Sequence, residues 1–197
     1  MADLTLTTEL KAVNTILSGI GEQPVTSLPS SYYMATLAQA KLAEVSKAVQ
    51  TPGLQCNTQP KLKLTPDPVT GMIDFDVLVL GSGMLSVDGT YPSVNVTERD
   101  RKLYDIDNQT YVFTQPVYVD IVWLLDFEQL PEVIRQYIMI RATREFQKRW
   151  LGSDALDSFT QEEELRAWAA VQRIEMRNFD RTMTYTTPAS KILNRRF

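Results

Sequence analysis

Between Leu130 and Asp180 the sequence runs LPEVIRQYIMIRATREFQKRWLGSDALDSFTQEEELRAWAAVQRIEMRNFD, and its spacing predicts two long helices joined by a short turn. Leu130-Pro131-Glu132 reads as the first start. Pro131 fits a first-turn position, where a missing N–H loses no bond, and Glu132 suits the positive end of the helix dipole. Ile134, Ile138, Ala142, Phe146 and Trp150 then recur every four residues with Tyr137 beside them, one apolar helical face. Gly152 supplies a left-handed end. Thr160-Gln161-Glu162-Glu163 has the form of a capping box and predicts the second start. Leu165, Trp168, Ala169, Val171, Met176 and Phe179 are that helix's apolar residues. Two antiparallel helices with apolar faces need a further layer to cover them.

The N-terminal third supplies that layer. Thr8-Glu9 opens a helix with Leu10, Val13, Leu17 and Ile20 as a buried stripe, ended by Gly19 and Gly21. Pro24 and Pro29 mark a connection. A second helix is expected from Ser31 to Gln50, with Met34, Ala38, Leu42, Val45 and Val49 on one face and Pro52-Gly53 as its stop. After Asp180 the periodicity fades, and the polar, Thr-rich end reads as an extended tail.

From Leu54 to Asp126 the period changes. Ile73-Asp74-Phe75-Asp76-Val77 alternates as a half-buried strand does, and an apolar run continues to Leu80. Gly81-Ser82-Gly83 and Asp88-Gly89 read as turns. Lys102–Asp105 and Tyr111–Thr114 read as a hairpin around Asp107-Asn108. Val117, Val119, Ile121 and Trp123 alternate as a last strand. Pro66, Pro68 and Pro92 keep their positions out of central strands. The expected fold is therefore α+β: a bundle of four main helices from residues 1–53 and 127–182, an inserted antiparallel β-region at 54–126, and an extended tail at 183–197.

Bulk composition narrows the function. The 197 residues are 44% hydrophobic and 22% charged, ordinary for a globular chain. A net charge of −4 gives no reason to expect nucleic-acid binding. Cys56 is the single cysteine, so no internal disulfide forms, in keeping with a reducing compartment. No apolar run approaches the ~20 residues that span a bilayer, and no signal-peptide pattern precedes the first helix. Histidine is absent, which removes the commonest general base and the usual metal and triad ligand.

Few motifs carry chemistry. Asp105-Ile106-Asp107-Asn108-Gln109 lacks the sixth-position glycine and late glutamate of a calcium loop and reads as a turn. Glu162-Glu163-Glu164 cannot flank one glycosidic bond, because neighbouring residues on a helix point apart. Asp74 and Asp76 share a strand face and are the better carboxylate pair, though a solvated face is the default. Arg135, Arg141, Arg144, Lys148 and Arg149 make the first long helix basic; Asp154, Asp157 and Glu162 to Glu164 make the next stretch acidic. Two readings stand side by side. Local pairs such as Glu145 with Arg149 and Glu162 with Arg166 would account for them. So would contacts between copies, with Arg135, Arg141, Arg144 and Lys148 of one meeting Glu162 and Glu163 of the next. Tyr32, Tyr33, Trp150, Phe159 and Trp168 are candidate anchors, with core packing the commoner fate of the tryptophans.

The run LKAVNTILSGIGEQPVTSL at 10–28, Leu130-Pro131-Glu132 with the basic aromatic helix to Trp150, and Gln161-Glu162-Glu163-Glu164 occur in an order that resembles the tail tubular protein A family. These are head-to-tail adaptors of short-tailed phages of the T7 type. The resemblance implies a structural virion protein without cofactor or catalysis, assembled in the host cytoplasm. It would form a dodecameric ring below the portal protein. The ring would join the tail nozzle (tail tubular protein B), help hold the tail fibres and pass DNA through its bore. Such rings close by heterologous contacts, and a mildly acidic bore would repel phosphates rather than bind them. Lys191, Arg195, Arg196 and Phe197 in the tail would then contact the portal. Two other classes are carried beside it: a tail protein with added glycan-hydrolase activity, resting on Asp74 or Asp76, and a monomeric binding module.

Overall fold

The computed structural model describes residues 6–75, 79–84, 94–152 and 154–186, and the side chains of these except at 79–84, 154–160 and 178–186. The elements are α1 (Glu9–Gly19), α2 (Tyr33–Gln50), β1 (Thr58–Leu64), β2 (Val79–Met84), β3 (Val96–Arg99), β4 (Lys102–Asp105), β5 (Val117–Trp123), a 3-10 turn at Phe127–Gln129, α3 (Glu132–Leu151) and α4 (Asp154–Thr186). Four helices and small antiparallel sheets make the fold α+β. The chain divides into two compact units, Met1–Ser46 with Phe127–Phe197, and Lys47–Asp126.

In the helical unit α3 packs against both α1 and α4. Thr8 caps α1, its side chain accepting from the Lys11 N–H. Ala12, Val13, Ile16 and Leu17 form the buried stripe of α1; Leu10 and Ile20 lie at its margin. On α2 the expected residues Met34, Ala38, Leu42 and Val45 are all buried, and on α3 so are Ile134, Tyr137, Ile138, Ala142 and Phe146. Gly152 ends α3 at φ 61°, in the left-handed region.

Four helical expectations are corrected. Pro131 lies before the first turn of α3, at the cap, with an extended ψ of 144°. Trp150 is 51% exposed, because the face it continues runs out of partners in the last turn; it stacks instead on Phe146. Thr160 does not cap a helix, since α4 already begins at Asp154. Asp154 and Asp157 in the sequence favour that earlier start through the helix dipole. Finally, α4 runs on to Thr186 rather than fading after Asp180.

In the β unit, β5 is the central strand of a sheet ordered β1-β5-β2, antiparallel on both sides. Val117, Val119 and Ile121 point to one face and join Ile73, Phe75, Val96, Leu103 and Phe113 in a core. Gly81-Ser82-Gly83 is not a turn: it lies in β2, paired with Val122, Ile121 and Asp120. Strand β1 escaped the sequence pattern because Pro60 interrupts it and Lys61, at φ 55°, marks a register shift. A proline is tolerated on such an edge strand. The hairpin lies elsewhere than expected. Strands β3 and β4 pair around Asp100 and Arg101, both at positive φ, as a tight hairpin turn requires. The expected partner of β4, Tyr111–Thr114, follows a single bridge between Asp105 and Thr110. Asp74 likewise makes one bridge, to Lys102; Asp76, Asp88 and Gly89 lie outside the described residues.

Gln50 and Asn57 hold the unit's two chain ends. The Gln50 side chain donates to the Leu125 carbonyl at 3.0 Å and accepts from its N–H at 2.8 Å. Asn57 donates to the carbonyls of Gln50 and Trp123 and accepts from the Leu54 N–H.

Candidate functional site

The charged residues of α3 separate into three environments. Arg135 is buried, and its guanidinium donates to the carbonyls of Leu130, Thr7 and Glu128. It is a clamp on the segment leading into α1 rather than a surface charge. Glu132 reinforces that clamp by accepting from the Thr7 N–H at 2.8 Å and its hydroxyl at 2.6 Å. Burial works to raise the Glu132 pKa, but the Thr7 hydrogen bonds outweigh it and the net shift is downward.

Arg141 and Arg144 face α4. Arg144 pairs with Glu164 at 2.5 Å, and Arg141 reaches the same carboxylate at 3.9 Å. Arg141 also pairs with Glu145 at 2.9 Å, and Glu145 meets Lys41 of α2 at 3.6 Å. The expected Glu145–Arg149 pair is thus replaced by one that ties three helices together. Burial acts to lower the Arg141 pKa, but bonds to Glu145 and Tyr137 turn the shift upward, so the cation is held firmly. Beside this network the Tyr137 and Trp168 rings lie 5.0 Å apart, and Val171 is buried.

Lys148, Glu162 and Glu163 are the candidates that remain exposed. Glu162 pairs with Arg166 at 3.1 Å as expected, both side chains open to solvent. On the same outward side of α4, Leu165 and Met176 are each 60% exposed, and Ala169 between them is exposed too. Tyr33 is 69% exposed, and Tyr32 donates to Glu22 at 2.5 Å. The Phe159 side chain and the tail residues Lys191, Arg195, Arg196 and Phe197 lie outside what the structure describes.

Chemistry is sparse by comparison. Asp74 is exposed and sits 3.8 Å from Lys102. Asp105 is committed to its own turn, accepting from the N–H groups of Asp107 and Asn108. Those bonds, led by that of Asn108, lower its pKa. Among the described residues no group of three or more metal-ligating side chains is gathered, and no helix is long and apolar enough to cross a membrane. What the surface offers is helix faces, charge and exposed apolar side chains, the material of protein contacts. Sequence reasoning named the charges, and it named Leu165, Ala169 and Met176 as apolar residues of this helix with Trp168 and Val171, but it did not separate the exposed ones from the buried. Their spacing of four and seven was the available signal.

Residues 10–181 match the family model described as tail tubular protein. A curated relative, tail tubular protein A of Klebsiella phage KP34, is 30% identical over 189 residues, covering 96% of this chain and 98% of its own length.

Proposed function

The chain belongs to the tail tubular protein family, a structural component of a phage tail, and from that premise we propose that it is the adaptor joining the head to the tail. Copies of it close into a dodecameric ring. The ring binds the portal protein on one side and the tail nozzle (tail tubular protein B) on the other. It contributes to tail-fibre attachment, and DNA passes through its bore without specific binding. The role is architectural and needs no cofactor; assembly takes place in the host cytoplasm.

The observation that carries this reading is the extent of the match, which runs through both units rather than one. The exposed charges Lys148, Glu162 and Glu163, together with Arg141 and Arg144 at the α3–α4 seam, support contacts between copies. Arg135 contributes inside its own chain. The segment 187–197, with Lys191, Arg195, Arg196 and Phe197, reaches the portal, where basic groups and an aromatic are effective anchors. Deleting that segment should abolish portal capture; unchanged capture removes it from the contact. For the adaptor role itself, particles assembled without this chain should be filled heads that lack a nozzle. Nozzle-bearing particles without the chain would overturn the reading.

A further inference from the structure

We draw no further inference here: the strongest candidate, the exposed apolar face of α4 formed by Leu165, Ala169 and Met176, is an unpartnered helix face, and nothing in the structure shows what covers it.

Discussion

Arg135 shows how far a single residue's role departs from its charge. Nine positions from Arg144, it stands half a turn of the helical wheel away from that arginine; by contact it fills the acceptor needs of three carbonyls, those of Thr7, Glu128 and Leu130. Replacing it with Ala leaves these acceptors buried without a donor. A loss of about 3 kcal/mol is expected, read as a lower urea midpoint with unchanged slope. No sequence pattern announces this, because Thr7 and Arg135 are brought together only by the tertiary fold. Glycines make a second, comparative case. Gly152 at φ 61° has open space where a Cβ would stand, so Gly152→Ala should cost about 1 kcal/mol from backbone conformation alone. At Gly71, φ 68°, a Cβ would also lie 2.8 Å from Val112 Cγ1. Gly71→Ala should therefore lower the melting temperature of its unit distinctly more. Equal effects would mean that Val112 swings aside without loss.

The seam between α3 and α4 is set as much by ion pairs as by apolar packing. The Glu164 side chain is 16% exposed and Arg144 22%, whereas Glu162 and Arg166 are 69% and 78% exposed. Screening by solvent makes the outer pair worth little. Glu162→Gln should change stability by less than about 0.5 kcal/mol, and Glu164→Gln, which removes the carboxylate that Arg144 and Arg141 share, by about 1–2 kcal/mol. Urea unfolding of the two variants side by side checks the order; a reversal would shift the seam's stability to other contacts. The junction between the N-terminal segment and α3 adds a pH dependence. The folded pKa of Glu132 is depressed below its ordinary 4.5, so its contribution is complete above that value and is lost as pH falls through the lower, folded one. Glu132→Gln should flatten the acid side of the stability curve in that window and leave its neutral side parallel to the parent. Elements with a clean period were legible beforehand: β5 through strict alternation, α2 and α3 through their buried rows. Those whose cause is not periodic were missed. Pro60 and Lys61 hid β1 behind a register shift, and the β3–β4 hairpin turns on Asp100 and Arg101, which carry no glycine to betray the positive φ.

For the whole molecule, the family was legible from motifs, but the surfaces were not. The order of three helical motifs pointed to a tail tubular protein, and the family match bears that out. Which face of α4 looks outward depends on what Glu164, Trp168 and Val171 bury, and that is known only from the fold. Organisation into an interrupted helical unit and a continuous β unit also makes a prediction of its own. Both chain ends of the β unit pass through Gln50, whose side chain makes a reciprocal pair of hydrogen bonds with Leu125 and is fully buried. Asn57 adds bonds from the same corner to Gln50 and Trp123. A segment whose ends are pinned to each other, and whose core of Ile73, Phe75, Leu103, Val119 and Ile121 lies within its own bounds, has the attributes of a piece that folds alone. Residues 47–126 expressed separately should give a strand-rich circular dichroism spectrum and a cooperative melt. Gln50→Ala in that piece should remove about 2 kcal/mol by leaving both Leu125 groups without their partner. The same substitution in the full chain should lower one of two melting steps and leave the step belonging to the helices in place. A single merged transition in the full chain, or an unfolded isolated piece, would mean that the β unit depends on the helices for its stability.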